Sequence, residues 1–494
     1  MKLVAHLSGK IPVTKAWITH ADKSVNLFDH TDRYSYTLEL DHTSYLGFVL
    51  TNESKWPKMN RDIDQKNKFA LERRDVVTLA ALIVVALLLR WGYVVSMYLL
   101  EGIGSFHFAV EIPRIAGSIA NGLGFSGAIN GAENAPTAWT TPLYPYFLSL
   151  IISVTGTAKW AAFSAALING VISALTLIPI YLAAYKVHSQ RAALVAAAIF
   201  TIEPTSIWLV RFAQDTTMVV ALVACLFPLY VSLSSKPTPA RFCWLGLFLG
   251  ILSLVKSVAL VLVVAVVGLT LIFRRDQVLS RRVINCGLLL ICFCLVCAPW
   301  LYRNATVLGV YGYQSNFGLE LKIGNNSRTY ESLTTAREYP RPPAHPDSDA
   351  TENEHYNELG EKAYMEEAMD AAQHYILSNP TNFVELTLIR VADYWTGYIG
   401  NFEQPFHRLK IVFFLTLLAL SLLGAARSIK NPTVQLMLLC LLFIPAVYYV
   451  THTISLDRYR APILPALTLL AAFAFDRGIT LFSNRSGVRP KGEA

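Results

Sequence analysis

The stretch EGIGSFHFAVEIPRIAGSIANGLGFSGAINGAENAPTAWTTPLYPY, residues 101–146, decides how the rest of the chain is interpreted. It follows the first strongly apolar segment and ends in an aromatic- and proline-rich run. A loop of roughly 45 residues without its own apolar core is usually functional or disordered. Aromatic residues and short helix-like patterns argue against disorder, and Glu111 brings an acid into an otherwise weakly charged stretch. We therefore predict that this loop forms one wall of an active site.

The composition is that of a membrane protein. Of the 494 residues, 54% are hydrophobic and only 15% are charged, whereas soluble domains carry roughly 25% charged residues. A spanning helix needs about 20 apolar residues, and the clearest apolar runs are 76–100, 160–185, 192–210, 283–300 and 411–423. Successive runs of this kind predict an all-α polytopic membrane protein. Because no apolar run precedes residue 76, we expect the first span to act as its own insertion signal.

The net charge of +8 does not predict a nucleic-acid partner. Most of the surplus lies in short loops and in the tail, where Lys and Arg residues set the orientation of membrane proteins. All seven cysteines lie within or beside apolar segments, which predicts reduced thiols and no disulfides.

The orientation depends on whether residues 142–154 cross the membrane. If they lie at the outer interface instead, the basic loops at 186–191, 236–241 and 274–282 all fall inside, as the positive-inside rule favours. This choice predicts about ten spans, cytoplasmic termini and interfacial helices in the first outer loop. The predicted spans lie near 76–100, 159–185, 192–211, 215–234, 241–255, 258–273, 283–301, 409–427, 433–451 and 460–476.

The same topology divides the chain into segments. They are a polar cytoplasmic extension (1–75), a catalytic membrane module (76–301) with the first outer loop (101–158), a mixed, mainly helical outer segment (302–408), C-terminal spanning helices (409–477) and a basic cytoplasmic tail (478–494). The outer segment holds 15 of the 34 acids against 8 Lys and Arg residues, as expected of a soluble module. For 1–75, a small appendage, a flexible tail and an over-long start all stay open, and its role is unknown.

Few ionisable residues fall at the predicted outer boundary of the membrane. Charged groups at membrane depth are costly, and they tend to mark function or to pair with one another. Because these residues share one predicted face, we predict a polar cavity in which carboxylates accept a proton and cations bind a phosphate. The alternative is that the arginines reach to the interface and the acids are their partners. The set comprises Glu111, Arg114, Glu203, Arg211, Asp215, Lys256, Arg303, Asp457, Arg458 and Arg460.

Several short motifs resemble those of one group of membrane enzymes. They are EIPRIAGSIANGLGFS (111–126), PTAWTTPLYPYF (136–147), RFAQDT (211–216), APWLYRN (298–304), SNFGLELKIGNN (315–326), ELGEKAY (358–364) and DRYRAPILP (457–465). In this order they are similar to the bacterial GT-C glycosyltransferases that use a polyprenyl-phosphate-linked sugar. That group contains the protein O-mannosyltransferases and the aminoarabinose transferases. The resemblance covers about residues 75–477 and implies the GT-C fold.

The resemblance implies catalytic roles for two acids. The family has an acid, most often Asp, shortly after the first span as the proposed general base on the acceptor, and Glu111 occupies that place. Its side chain is one methylene longer, so the acceptor would lie slightly further away. A second acid in the next loop on the same side matches Asp215, which would orient the acceptor or a basic side chain, or help to bind a metal. Asp215 is also explained as the N-cap of the following helix.

For the donor phosphate, the resemblance implies Lys256, Arg303, Arg458 and Arg460. A lone cation between apolar helices can compensate a phosphate, and fixed positive charge stabilises a departing polyprenyl phosphate. Lys256 is also explained as a residue that reaches to the interface. Asp457 is more simply a partner for one of the arginines.

The predicted substrate-binding residues are Tyr144, Asn316, Asn325 and Asn326. The asparagine amides would shape the sugar or acceptor wall, although a tight turn needs the same residues. Tyr144 could stack on a sugar, but interfacial Tyr residues commonly pack on lipid. No metal ligand is predicted, and a divalent metal is left open as a cofactor.

These observations predict an inverting glycosyltransferase of the inner membrane whose active site faces the periplasm. Glu111 would deprotonate an acceptor hydroxyl on a lipid, glycan or protein, and the oxygen would attack the anomeric carbon of the lipid-linked donor. The partners would be this donor, an unknown acceptor and membrane lipids, without nucleic acid. Two alternatives remain. One is a transporter or flippase of a lipid-linked saccharide, which would favour repeated halves and interrupted helices. The other is a polymerase or ligase of surface polysaccharide.

Overall fold

The structure is a computed structural model in two compact units, Met1–Glu72 and Arg73–Ala494. It describes residues 13–18, 24–29, 34–39, 51–54, 73–106, 111–273, 277–336, 345–397, 405–452 and 457–485, with the backbone alone for the strands and for 158, 273, 335–336 and 476–485. Much of the predicted extension 1–75 and the end of the predicted tail, from residue 486, fall outside these ranges. The segment boundaries therefore stay predictions.

The N-terminal unit contains an antiparallel sheet of four strands in chain order. In its register Leu27 pairs with Tyr36, and Tyr36 pairs with Asn52 on the other side. The sheet was not predicted, because residues 1–75 show only short pieces of period-two alternation, such as Tyr34–Leu40, which contains β3. The strands are β1 (Val13–Ile18), β2 (Ser24–Asp29), β3 (Tyr34–Glu39) and β4 (Thr51–Ser54).

The second unit is built from helices. They are α1 (Arg73–Glu101), α2 (Glu111–Ala120), α3 (Leu143–Thr155), α4 (Ala158–Leu175), α5 (Leu177–Val187), α6 (Gln190–Thr201), α7 (Pro204–Leu209), α8 (Thr216–Ser235), α9 (Pro239–Val255), α10 (Leu260–Phe273), α11 (Leu279–Leu308), α12 (Phe317–Gly324), α13 (Ser327–Glu331), α14 (Ala350–Leu359), α15 (Glu361–Ser378), α16 (Pro380–Thr396), α17 (Pro405–Ser428), α18 (Pro432–Thr451), α19 (Asp457–Arg460) and α20 (Leu464–Arg485). Single-turn 3-10 helices occur at Ile103–Ser105, Ser257–Ala259 and Ala461–Ile463, and a π-helical turn at Ser332–Ala336.

Within the described ranges, six helices are long and apolar enough to cross a membrane, judged by length and composition. They are Arg73–Glu101, Lys159–Val187, Thr216–Ser235, Leu279–Leu308, Pro405–Ser428 and Pro432–Thr451. Shorter apolar helices are Leu143–Thr155, Gln190–Thr201, Pro239–Val255 and Ser257–Ile272. For the unit Arg73–Ala494 the prediction of a helical, multi-pass membrane protein is confirmed, whereas the sheet of the N-terminal unit departs from the all-α prediction.

One predicted span, 192–211, is interrupted at Glu203. The Glu203 carboxylate accepts hydrogen bonds from the backbone N–H groups of Thr205, at 3.0 Å, and Ser206, and so N-caps the short helix α7. Pro204 takes the first helical position, which suits a residue without an N–H group. Because Glu203 is fully buried and engaged in this cap, its carboxylate serves the backbone at the break in the span.

Glycines allow close packing between spanning helices. A Cβ on Gly424 of α17 would overlap the carbonyl oxygen of Leu470 on α20, and one on Gly246 of α9 would overlap that of Leu289 on α11. Small residues at such crossings let helix backbones approach, and van der Waals packing then drives association within a membrane. These contacts hold α17 against α20 and α9 against α11.

We expect Gly424→Ala to destabilise the helical unit. The added Cβ must displace α20 from α17, and overpacking of this kind costs about 1–3 kcal/mol. Thermal unfolding in detergent should show a lower midpoint. Gly287→Ala on α11 is the matched control, because a Cβ there has no heavy atom within 4 Å, and alanine favours helix over glycine. Equal midpoints for the two variants would contradict the role given to Gly424.

Two charged side chains hold the first loop against the predicted outer segment. Arg303, near the end of α11, donates to the carbonyl oxygens of Phe125, at 2.9 Å, and Thr137. The buried carboxylate of Glu361 accepts from the backbone N–H of Ala138 at 2.7 Å and from the hydroxyl of Ser315 at 2.7 Å. These hydrogen bonds hold residues 125–138 of the loop from both sides.

Candidate active site

A cavity of about 800 Å³ opens between the first loop, the helix ends and the predicted outer segment. Distant parts of the chain line it, each with at least one charged or titratable side chain. The first loop contributes Glu111, the segment before α8 contributes Asp215, and the turn after α9 contributes Lys256. The outer segment contributes Glu320, His345 and Asp347, and the residues after α18 contribute His452 and Arg458.

Glu111 is the first residue of α2 and faces a histidine of the outer segment. Its Oε1 lies 3.4 Å from Nε2 of His345. Asp347 accepts a hydrogen bond from Arg114, one turn further along α2. The acidic corner of the cavity is therefore formed where α2 meets the loop that follows residue 344.

The same corner has the ligand types for a divalent cation. Three possible ligand atoms, one each from Glu111, His345 and Asp347, lie within 4.8 Å of one another. The second carboxylate oxygen of Asp347 has no hydrogen-bond partner, and its side chain is only 7% exposed. Imidazole with carboxylate oxygens suits zinc and other transition metals. His345 and Asp347 were not predicted, because the HPD sequence lies in a proline-rich loop without metal-ligand spacing.

The basic corner contains Lys256 and Arg458. Lys256 ends α9, and its Nζ lies 2.8 Å from Oδ2 of Asp215. Arg458 donates to the Tyr459 hydroxyl at 2.7 Å and to Gln214 at 3.4 Å. Lys256 is thus neutralised by Asp215, Arg458 is held by two polar partners, and both cations line the cavity. The structure brings together these two cations, Asp215 and Glu111 from separate sequence motifs.

Asp215 occupies the N-cap position of α8 without capping it. Its side chain makes no capping hydrogen bond, and the ion pair with Lys256 uses the carboxylate instead. Of the two explanations for Asp215 given by the sequence, the orientation of a basic side chain is the one that this geometry supports.

Asn316 and Glu320 lie on the wall between the two corners. Asn316 precedes α12 and donates to Oε1 of Glu320 at 3.4 Å. Glu320 Oε2 lies 3.6 Å from Nε2 of His452. Burial raises the pKa of Glu320 to about 7; Arg458 and Lys256 lower it, and Glu111 raises it further. The sequence offered Glu320 only within the SNFGLELKIGNN motif, and one acid in an amphipathic turn is no signal of a site.

The cavity, as lined by the side chains that the structure describes, does not include the remaining predicted residues. Arg303 binds the first loop, as described above. Arg460 pairs with Asp457 at 2.5 Å, and Lys410 binds the same carboxylate from α17. Tyr144 is buried in an apolar cluster with Leu148. These side chains make structural contacts and do not line the cavity.

The side chains of Asn325 and Asn326 also form hydrogen bonds with backbone groups. Asn325 donates to the carbonyl of Val450 at 2.8 Å, and its amide oxygen accepts from Arg390 at 3.2 Å. Asn326 is the N-cap of α13, accepting from the backbone N–H of Thr329 at 2.9 Å. The tight-turn interpretation of the GNN sequence matches these contacts better than an amide wall for a sugar.

The chain shares its fold with a solved oligosaccharyltransferase. It is similar to the oligosaccharyltransferase of Archaeoglobus fulgidus, crystallised with a tethered acceptor peptide, with a TM-score of 0.51 and 14% identity, covering 85% of this chain and 52% of that one. The oligosaccharyltransferase AglB of the same organism, in complex with an inhibitory peptide and a dolichol-phosphate, gives a TM-score of 0.48 at 14% identity and covers 85% and 53%. This chain therefore spans about half the length of those proteins.

ArnT from Cupriavidus metallidurans, bound to undecaprenyl phosphate, gives a TM-score of 0.38 at 13% identity and covers 85% of this chain and 82% of that one. The family model for dolichyl-phosphate-mannose-protein mannosyltransferase matches residues 139–302. Among curated proteins, no sequence matches the chain significantly. The predicted resemblance to the GT-C group is confirmed.

Proposed function

We propose that the chain is an inverting glycosyltransferase that moves a sugar from a polyprenyl-phosphate donor to an acceptor hydroxyl. One observation carries this proposal: a single cavity holds a carboxylate at one corner, Glu111, and two cations at the other, Lys256 and Arg458. Transfer from a phosphate-linked donor needs a base for the acceptor and positive charge for the leaving group. The family-model match to dolichyl-phosphate-mannose-protein mannosyltransferase supports the same donor class.

On the acceptor side, Glu111 takes the hydroxyl proton. The acceptor oxygen then bonds to the anomeric carbon while the bond from that carbon to the phosphate oxygen breaks. His345, 3.4 Å from the Glu111 carboxylate, orients it. With the nucleophile and the leaving group on opposite sides of the anomeric carbon, one displacement inverts its configuration. A divalent cation held by Glu111, His345 and Asp347 would supply Lewis-acid polarisation of the acceptor oxygen.

On the donor side, Lys256 and Arg458 bind the phosphate and stabilise the negative charge that it gains. Asp215 holds Lys256 in place through the 2.8 Å ion pair. Charge-assisted hydrogen bonds to phosphate are among the stronger polar contacts. Arg303 and Arg460 were predicted from the sequence for the same role. Arg303 instead binds the first loop, and Arg460 pairs with Asp457.

We place the cavity at the outer face of the inner membrane. The support is the distribution of Lys and Arg: the loops at 186–191, 236–241 and 274–282 lie on the opposite side from the cavity in the predicted topology. A lipid-linked donor fits this face, where the polyprenyl chain can remain in the bilayer while its phosphate enters the cavity.

The test is sugar transfer by the full chain in lipid nanodiscs, supplied with radiolabelled polyprenyl-phosphate sugars and a membrane extract as the source of acceptor. We expect label to move from the donor to the extract. Lys256→Met should raise the KM for the donor about 10- to 100-fold, because a hydrogen bond to a charged group contributes about 1.5–3 kcal/mol.

Lys362→Met, on the exposed surface of α15, is the matched control for the loss of one lysine charge. An unchanged KM in Lys256→Met would remove Lys256 from the phosphate site. Donor binding without transfer to any acceptor would favour a transporter of the lipid-linked saccharide.

A further inference from the structure

Glu320 is held in place by a chain of hydrogen bonds that crosses the cavity wall. Ser257, next to Lys256, donates to Gln314 at 2.8 Å, and Gln314 donates to Asn316 at 2.7 Å. Asn316 in turn donates to Oε1 of Glu320 at 3.4 Å. This series of hydrogen bonds holds one carboxyl oxygen of Glu320. The other oxygen faces His452 and the cavity.

The state of His452 follows from its neighbours. The Thr451 hydroxyl has one hydrogen, which it donates to the carbonyl of Val447 at 2.8 Å. Thr451 Oγ1 therefore accepts from Nδ1 of His452, 2.6 Å away. Burial, with Arg458, Lys256 and Arg390, holds the pKa of His452 well below its usual value. The imidazole is thus neutral with its hydrogen on Nδ1, and Nε2 presents a lone pair to Glu320.

A lone pair on Nε2 and an ionised carboxylate 3.6 Å away repel each other. The conflict disappears when Glu320 carries a proton. Burial, which raises the pKa of Glu320 to about 7, supports the same state. The charged and titratable groups that act on Glu320 are Arg458 on α19, Glu111 on α2, Lys256 after α9, and Tyr448 and His452 at the end of α18.

We propose that Glu320 is a carboxylic acid in the resting site and donates a hydrogen bond through its O–H to the donor phosphate beside Arg458 and Lys256. The inference rests on the proposed function and adds a third phosphate-binding group to it. An ionised Glu320 would repel the phosphodiester, whereas the acid form attracts it. The proton stays on Glu320 during transfer, while the acceptor proton goes to Glu111.

Donor binding then depends on pH with a defined sign. Below about pH 7 Glu320 is already protonated, and affinity should not change with pH. Above that value the free protein must take up one proton to bind, so affinity should fall by up to tenfold per pH unit. A carboxylate acting as a base predicts the opposite, since activity would then rise as pH increases through this range.

The test measures binding of a polyprenyl phosphate methyl diester to the full chain in nanodiscs between pH 6 and pH 9. A diester keeps one negative charge throughout this range, so any pH dependence belongs to the protein. We expect wild-type affinity to be flat up to about pH 7 and to fall by about tenfold or more between pH 7 and pH 9. Glu320→Gln has the same shape, retains an N–H donor and cannot ionise, so its affinity should be within about threefold of the wild-type value at pH 6 and remain flat.

Glu366→Gln, on the exposed surface of α15, is the matched control and should follow the wild-type curve. A wild-type affinity independent of pH, or a Glu320→Gln curve with the wild-type slope, overturns the inference and leaves the transferase proposal intact. Full binding but no transfer by Glu320→Gln at every pH would make Glu320 the base instead, and also overturns it. Failure of the diester to bind the wild type at any pH overturns both proposals.

Discussion

Glu111→Gln should lower kcat/KM for sugar transfer by about 100- to 10,000-fold, the usual contribution of a positioned general base. The amide has the shape of the carboxylate but cannot accept a proton from the acceptor. Glu111 opens α2, its carboxylate lies in the cavity, and His345 lies 3.4 Å from it. The effect should appear in the chemical step, because we propose that the donor phosphate binds at the other corner, with Lys256 and Arg458.

The measurement is single-turnover transfer from a radiolabelled polyprenyl-phosphate sugar, together with donor binding to the same preparation. Binding should stay within about threefold of wild type, since in the proposed site the lost charge does not contact the phosphate. Glu101→Gln, exposed at the end of α1 in the same loop region, is the control and should transfer normally. If Glu111→Gln keeps wild-type transfer, the base lies elsewhere, and Asp215 and Glu320 are the next acids to replace.

Arg90→Met should destabilise the helical unit by about 3–5 kcal/mol, the cost of breaking a buried charge network by removing one partner. Arg90 lies in the middle of α1 with no exposed surface. Its guanidinium donates to the hydroxyls of Ser173, at 2.7 Å, and Ser206, at 2.9 Å. It also donates to the carbonyls of Phe200 and Thr201 at 3.1 and 3.0 Å.

These contacts join α1 to α4, to the end of α6 and to α7 at the point where the predicted span is interrupted. The last carbonyls of a helix lack intrahelical partners, and Arg90 donates to those of Phe200 and Thr201, the first of which also accepts from the backbone N–H of Glu203 at 3.4 Å. The charge of Arg90 also compensates the negative end of the helix. Arg90 also attracts the buried carboxylate of Glu203. Methionine fills a similar volume but removes the hydrogen bonds to these oxygens. It also removes the cation beside the Glu203 carboxylate, which keeps its hydrogen bonds from Thr205 and Ser206.

Unfolding in detergent, followed by urea or heat, gives the measurement. Arg90→Lys retains the charge but fewer donors, and its stability should lie between wild type and Arg90→Met. Arg328→Met on the exposed helix α13 should change stability by less than about 0.5 kcal/mol, as surface substitutions usually do. Wild-type stability in Arg90→Met would mean that the break between α6 and α7 is maintained by packing alone.

The sequence by itself determined the class of the protein and part of its site. Apolar runs of the length of a bilayer, in a chain with 15% charged residues, are compatible only with a multi-pass helical protein. Residues such as Glu111, Asp215 and Lys256 could be selected because charges near a membrane are costly and therefore few. The basic loops place these residues on one face of the membrane in the predicted topology. The sequence could therefore predict that they share a cavity.

The tertiary structure decided what each remaining polar side chain contacts. Arg303 and Arg458 have the same chemistry and lie at similar helix ends. Only the folded chain shows that Arg303 binds backbone carbonyls of the first loop while Arg458 faces the cavity. The sequence shows which charged residues lie near the predicted membrane boundary. The tertiary structure shows which of them line the cavity and which form hydrogen bonds with the backbone. The physical reason is that a hydrogen bond requires its partners within about 3 Å, and residues hundreds of positions apart meet at that distance only through packing.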